Sequence, residues 1–270
     1  MDIAAGRPRK TIGRSMKNAF QHFAELDSTN AEAMRRAVAG ERGPLWITAA
    51  RQTAGRGRAG RAWESDDGNL YASLLVSLPA PASKAYQLSL VAGVLVHDAL
   101  CAALPSAAHA ALRLKWPNDI LIGGAKAGGI LIESTVIARE RDGQPGPADG
   151  MRLAAIIGIG VNIAAYPQGL DRPVTSLAAH GATPEPAALL ALIAEAADRW
   201  LAVWRGGEDF AAIRKAWLTR AHPIGERMSI NTGTERVTGT FEGLDADGGL
   251  LIDAGAGIRR FAFGDVSLAV

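Results

Sequence analysis

Two apolar patterns alternate along the 270-residue chain. Continuous runs of apolar residues predict strands, and apolar residues repeated every three to four positions predict helices. Apolar runs bounded by turn residues predict strands at 45–50, 70–78, 111–116, 120–122, 126–133 and 153–163. The helical repeat predicts helices at 31–39, 84–104, 184–205 and 208–220. After Pro223, short strand patterns at 228–230, 234–241, 249–252 and 258–263 predict a β-barrel of about 45 residues.

Composition and charge narrow the class of protein. Hydrophobic residues make up 48% of the chain, which predicts one sizeable domain plus a small one. The net charge of +2 is too small to indicate a nucleic-acid surface by itself. The single cysteine, Cys101, excludes an intramolecular disulfide and is typical of a reducing compartment. No apolar run approaches the length of about 20 residues that a membrane span needs.

The stretch Gly55–Trp63 contains three glycines, three arginines and a tryptophan. Glycine lets the backbone approach a ligand closely and expose its N–H groups to an anion. Arginine supplies a fork of donors that matches phosphate or carboxylate oxygens, and tryptophan supplies a flat face for a base. The stretch therefore predicts a loop over a nucleotide or an acyl phosphate.

Other interpretations of this loop are less consistent with its surroundings. It fits the dinucleotide fingerprint G-x-G-x-x-G, but Glu64–Asn69 is a turn cluster where the fingerprint needs a helix. It lacks the Gly-Lys-Ser/Thr of a phosphate loop. RNA-binding arginine-glycine segments form long repeats, whereas this is one short loop. From the loop alone, a basic surface turn stays an alternative.

Polar residues also flank the predicted strands. Lys115, Asn118, Asp119 and Lys126 lie at the ends of a hairpin that turns at Gly123-Gly124. They indicate a lined cleft, with a solvated hairpin rim as the alternative.

Two further groups have a structural and a functional interpretation. Gly158, Gly160 and Asn162 share one face of a strand, which indicates close approach by a ligand or another backbone. Asn162 is otherwise a strand-end amide bonded to local backbone. Ser28-Thr29-Asn30 precedes a helix with capping-box spacing from Thr29 to Glu32, and its polar groups also suit a ligand beside the helix start.

Together these motifs resemble the biotin protein ligase family. The resemblance runs from about Phe23 to the C-terminus and rests on Gly55–Trp63, Lys115–Asp119, Lys126–Glu133 and Gly158–Ile163, in that order, with Ser28-Thr29-Asn30 and Gln52. It implies an α+β fold: a mixed β-sheet with helices packed on one face, as in class II synthetases, plus a small C-terminal SH3-like β-barrel. We therefore expect a basic N-terminal tail at 1–22, a catalytic domain at 23–221 and a C-terminal domain at 222–270.

The resemblance also implies a two-step reaction. Biotin carboxylate attacks the α-phosphorus of ATP to give biotinyl-5′-AMP, and a lysine of a biotin carboxyl carrier protein then takes the biotin. Arg58 and Lys126 would contact the reacting oxygens, and Asp119 would orient or deprotonate the incoming lysine; a turn cap is the alternative for Asp119. Mg²⁺ would be held mainly by the phosphates, since no His/Cys metal cluster is present.

Residue by residue, the resemblance assigns two subsites. The biotin-binding residues would be Ser28, Thr29, Asn30, Gln52, Arg56, Gly57, Arg58, Lys126 and Gly129. The ATP-binding residues would be Gly55, Arg58, Arg61, Trp63, Lys115, Asn118, Lys126 and Asn162.

The expected setting is a cytoplasmic ligase that acts on a carboxylase carrier domain, with a homodimer possible and no membrane partner. Some family members carry an N-terminal DNA-binding domain, and few residues precede the match here, so we expect no DNA binding. The alternatives are a lipoate-protein ligase, and a non-enzymatic biotin-sensing or RNA-binding module.

Overall fold

The structure is a computed structural model that describes residues 18–138, 140–141, 144–145 and 151–268. Its strands are β1 Ala19–Leu26, β2 Leu45–Gln52, β3 Leu70–Leu78, β4 Leu112–Lys115, β5 Asp119–Ile122, β6 Ala125–Ala138, β7 Glu140–Arg141, β8 Gln144–Pro145, β9 Met151–Val161, β10 Arg227–Asn231, β11 Arg236–Leu244, β12 Leu250–Asp253, β13 Ile258–Phe261 and β14 Asp265–Leu268. Its α-helices are α1 Thr29–Val38, α2 Gln87–Ala103, α3 Ser106–His109, α4 Pro186–Trp204 and α5 Phe210–Leu218. None of the helices in the described ranges combines the length and apolar character that a membrane span requires.

Seven strands form one mixed sheet in the order β1-β2-β3-β9-β6-β5-β4. β1 runs parallel to β2, and the other neighbours are antiparallel. Successive side chains of a strand point to opposite faces, so Leu74 and Leu75 of β3 belong to two different hydrophobic clusters. The long helices α2, α4 and α5 contribute to the larger cluster, whereas α1 packs on the opposite face through Ala33 and Ala37. The expectation of helices on one face therefore holds for the long helices, with α1 as the exception.

The C-terminal strands form a separate five-stranded antiparallel sheet in the order β13-β12-β11-β10-β14. Its apolar residues, such as Phe241, join the same cluster as the main domain. Trp116 Nε1 donates to Gly248 O at 3.1 Å, and Arg214 Nε donates to Leu244 O at 2.7 Å. A sheet of this size cannot bury a large core alone, so it depends on the main domain.

Four strands were absent from the sequence-based prediction, namely β1, β7, β8 and β14. β1 starts at Ala19, so the predicted boundary at 22/23 falls inside a strand, and the described end of the predicted tail is part of the sheet. β1 lies at the sheet edge with mostly exposed side chains, which removes the apolar pattern that identifies a buried strand. β14 has four residues and was also missed. β7 and β8 have two residues each and lie in the polar stretch 139–150, where the sequence predicts a loop; most of this stretch lies outside the described residues.

Asp98 connects α2 to α4 and to the turn that follows α5. It accepts from Arg220 Nε at 2.8 Å, from Trp200 Nε1 of α4 at 2.9 Å and from Arg199 Nη2 at 3.3 Å. Burial by itself raises the pKa of Asp98, but its hydrogen bonds with His97, Trp200 and Arg220 outweigh burial and hold the pKa well below its usual range. Asp98 is therefore ionised in the folded protein.

We expect Asp98→Ala to lower the free energy of unfolding by about 2 to 4 kcal/mol at pH 7, because several charge-assisted hydrogen bonds are lost. The folded pKa lies below the unfolded one, so the contribution of Asp98 is present above the unfolded pKa and is lost as the pH falls through the folded value. Urea unfolding at pH 7 and at pH 3 measures both effects. Glu208→Gln, which affects an exposed ion pair, is the control and should change stability little. Equal stability of Asp98→Ala and wild type at pH 7 would contradict this account.

Candidate active site

A cleft of about 840 Å³ lies over one face of the main sheet and reaches the C-terminal strand β14. A volume of this size is typical of small-molecule and cofactor sites. Most of the residues assigned from the sequence line it: Ser28, Thr29, Asn30, Gln52, Arg56, Gly57, Arg58, Arg61, Trp63, Lys115, Asn118, Asp119, Lys126 and Gly129. Gly55 and Asn162 do not line it. The fold thus brings together groups from distant parts of the chain.

Three glycines form the floor of the cleft. Gly129 of β6 and Gly160 of β9 are direct partners in the sheet, and Gly158 lies two positions from Gly160. A Cβ atom on Gly160 would lie 2.6 Å from ring atoms of Trp63, and one on Gly129 would lie 2.9 Å from that ring. A Cβ atom on Gly158 would lie 2.3 Å from Asn30 Oδ1. Glycine is required at these positions because other side chains of the protein lie directly against the backbone.

The glycine-arginine loop forms a small hairpin beside this floor. Gly57 N donates to Arg61 O at 2.7 Å, and Trp63 N donates to Gly55 O at 2.9 Å. A Cβ atom on Gly55 would lie 2.4 Å from Trp63 O, so Gly55 closes the loop instead of contacting the cleft. Gly55 does not line the cleft, so its position does not support the assigned role in ATP binding. Gly57 has ordinary space around it, since a Cβ atom there would lie 3.5 Å from Arg61 O.

The three arginines of the loop are held at different places. Arg58 donates to Asn118 Oδ1 at 3.0 Å and to Gly264 O at 3.1 Å, which links the loop to both sheets. Burial lowers the pKa of Arg58, and the nearby Asp265 and Asp119 partly offset this effect. Arg61 pairs with Asp265 at 3.0 Å, and Arg56 lies 3.5 Å from Glu133. The C-terminal sheet thus takes part in positioning the loop.

At one end of the floor, Asp119 lies between two lysines. Lys115 Nζ is 2.9 Å from Asp119 Oδ2, and Lys126 Nζ donates to Asp119 Oδ1. Burial raises the pKa of Asp119, but both lysines outweigh burial and hold the pKa below its usual value. Burial lowers the pKa of Lys126, and the attraction of Asp119 offsets this effect only in part. Lys126 Nζ lies 5.5 Å from the Trp63 ring centroid, which adds a cation–π contact.

At the other end, a buried hydrogen-bond network surrounds the start of α1. Gln52 Oε1 accepts from Thr29 N at 2.9 Å, and Asn30 Nδ2 donates to Glu133 Oε2 at 2.8 Å. The fully buried Ser73 hydroxyl donates to Asn30 Oδ1 at 2.6 Å and lies 2.8 Å from Thr29 Oγ1. Sequence reasoning missed the part played by Ser73 and Glu133. Ser73 is one of two serines within the largely apolar run of β3, and a hydroxyl at the middle of such a run is the signal that could have identified it.

Asn162 has a structural role in the described residues. Its Nδ2 donates to Thr175 O at 3.0 Å, and its backbone bonds to Ala127 and Leu177. These bonds anchor the loop that follows β9. These bonds fit the alternative of a strand-end amide, and the assignment of Asn162 to ATP binding stays a prediction.

On the biotin and ATP subsites that the sequence resemblance implies, we expect Ser73→Ala to weaken biotin binding about tenfold while leaving the KM for ATP nearly unchanged. The substitution leaves the buried Asn30 amide oxygen without the donor that Ser73 supplies, and it releases Thr29. Calorimetric titration with biotin, together with KM values for biotin and ATP, measures the split. Ser134→Ala, an exposed serine on β6, is the matched control. Biotin affinity within twofold of wild type would exclude this role.

Comparison with known proteins identifies two regions of the chain. Residues 18–143 match the Biotin/lipoate A/B protein ligase family, and residues 224–269 match the Biotin protein ligase C terminal domain. The biotin–[acetyl-CoA-carboxylase] ligase of Paracoccus denitrificans is 40% identical over 241 residues, covering 87% of this chain and 94% of that protein. The enzyme of the same name from Mycobacterium tuberculosis is 31% identical over 251 residues, covering 90% of this chain and 86% of its own length.

The fold has a counterpart among solved structures. The biotin protein ligase of Aquifex aeolicus in complex with biotin and ATP superimposes with a TM-score of 0.72 at 27% identity. The match covers 93% of this chain and 98% of the Aquifex chain, so it includes both sheets.

Proposed function

The chain belongs to the biotin protein ligase family, and we propose that it activates biotin with ATP and transfers it to a lysine of a biotin carboxyl carrier protein. The observation that carries this proposal is a single cleft with a buried polar network at one end and a cluster of cations at the other. A neutral ureido ring needs the first, and a nucleotide phosphate needs the second.

The first step joins two anions. An oxygen of the biotin carboxylate attacks the α-phosphorus of ATP, and the bond from that phosphorus to the pyrophosphate oxygen breaks. Arg58 and Lys126 lower the repulsion between carboxylate and phosphate and stabilise the charge that develops on the oxygens. Trp63 offers a face for the adenine ring. The described residues contain no group of three or more His, Cys, Asp or Glu side chains that could hold a metal. Mg²⁺, which balances phosphate charge when bound, would therefore be held mainly by the phosphates.

In the second step, the lysine amine of the carrier attacks the acyl carbon of biotinyl-5′-AMP, and AMP leaves. Asp119 is the candidate group for the incoming lysine. Its lowered pKa makes it a weak base, so we assign it mainly to orienting the amine through a charge-assisted hydrogen bond. Thr29 and Gln52, with the backbone of Arg56 and Gly57, would hold the ureido ring meanwhile.

The test of this function is pyrophosphate release from the purified protein with ATP and Mg²⁺, in the presence of biotin or of lipoate. We expect release that depends on biotin and is absent with lipoate, since no acceptor is needed for the first step. Release with lipoate alone would assign the chain to the lipoate branch of its family. Release with neither, together with tight biotin or RNA binding, would support a non-enzymatic module.

A further inference from the structure

Arg172, which the sequence did not identify, lies in the loop that follows β9 and lines the same cleft. The loop is fixed against the start of β6 by two backbone hydrogen bonds. Lys126 N donates to Pro173 O at 2.9 Å, and Thr175 N donates to Lys126 O at 2.9 Å. Arg172 is therefore held on a segment paired directly to the strand residue Lys126.

Arg172 differs from the other arginines of the cleft in having no acceptor for its side chain among the residues that the structure describes. Arg56, Arg58 and Arg61 all have carboxylate or carbonyl partners within the protein. Arg172 Nε is buried, and among the described residues it has no hydrogen-bond partner. A buried donor of a cationic group without an acceptor costs free energy, which an anionic ligand would recover.

The electrostatic surroundings point to the same kind of ligand. Burial is the main cause that lowers the pKa of Lys126, and the charges of Arg172 and Lys115 act in the same direction. Two neighbouring cations that repel each other are both stabilised when an anion binds to them.

The position of Arg172 beside the start of β6 indicates that the anion is a phosphate and not the carboxylate of biotin. The polar network around Asn30 contacts Leu131 and Glu133, whereas Arg172 lies beside Lys126. Five residues of strand separate Lys126 from Leu131, a distance of about 16 Å. The Trp63 ring lies between the two ends, over Gly129. Arg172 is therefore far from the expected ureido subsite and close to the nucleotide end.

We propose that Arg172 binds a phosphate oxygen of ATP beside Lys126 and thus serves as a nucleotide-binding residue of this chain. The inference rests on the proposed function, because it takes ATP as the substrate. The guanidinium group can donate two parallel hydrogen bonds to a phosphate group. A lysine at this position would offer only a single ammonium group.

The test compares Arg172→Ala and Arg172→Lys with Arg236→Ala, an exposed arginine on β11 that does not line the cleft. We expect Arg172→Ala to raise the KM for ATP in biotin-dependent pyrophosphate release at least about tenfold. The dissociation constant for biotin alone, measured by calorimetry, should stay within twofold of wild type. Arg172→Lys should restore part of the loss, and Arg236→Ala should behave as wild type.

Two outcomes would overturn the proposal. One is an unchanged KM for ATP in Arg172→Ala. The other is an equal loss of biotin and ATP affinity, which would indicate a structural role in the loop. Binding of a non-hydrolysable ATP analogue to each variant separates this test from the proposed function. If the wild type released no pyrophosphate yet Arg172→Ala still lost affinity for the analogue, the proposed function would fail and the Arg172 assignment would stand.

Discussion

Lys126→Ala is expected to lower the rate of biotin-dependent pyrophosphate release by at least about 100-fold. Two effects add. The cation that would face the reacting oxygens is lost, and Asp119 keeps only Lys115 as a partner, so its negative charge is less compensated where phosphate must bind. A buried carboxylate that has lost a partner repels the substrate and costs stability as well.

Single-turnover pyrophosphate release at saturating ATP and biotin measures the expected change. Lys215→Ala, an exposed lysine on α5, is the control for loss of a lysine elsewhere. The double variant Lys126→Ala with Asp119→Asn separates the two effects, because it removes the uncompensated carboxylate. Partial recovery in the double variant would attribute part of the loss to Asp119. A wild-type rate in Lys126→Ala would refute the assignment.

Gly160→Val is expected to lower kcat/KM for ATP at least about tenfold while the fold is retained. A Cβ atom at this position would lie 2.6 Å from the Trp63 ring, so the ring must leave the floor of the cleft. The three atoms nearest to that Cβ position all belong to the Trp63 side chain, so the protein can accommodate the substitution by moving the loop.

Steady-state kinetics with ATP, with circular dichroism as the test of folding, measures this effect. Gly160→Ala should be intermediate, since it adds the Cβ without the branched methyl groups. A double-mutant cycle with Trp63→Ala tests the cause: if Gly160→Val acts through Trp63, the two losses will not add. Fully additive losses would show that valine disturbs the sheet instead.

The sequence predicted most of the fold because the main strands carry strong apolar patterns. β3, β6 and β9 lie in the middle of the sheet, and their apolar runs are visible without any structure. β1 was not predicted because an edge strand with mostly exposed side chains has no apolar run. The family relation and the chemistry also came from the sequence, since the ordered motifs are local strings that can be read without knowledge of the fold.

The roles of individual residues depended on the tertiary structure. Gly55 and Asn162 belong to recognisable motifs, but they do not line the cleft; in the structure Gly55 closes the loop and Asn162 anchors the segment that follows β9. Ser73 and Arg172 belong to no motif. Ser73 becomes relevant because β3 places it against Thr29 and Asn30, and Arg172 because the loop after β9 brings it to the cleft. The amino-acid sequence determines which chemical groups the protein contains. Distances across strands, and the presence or absence of a hydrogen-bond partner, decide which of those groups can meet a ligand, and these arise only when segments far apart in sequence pack together.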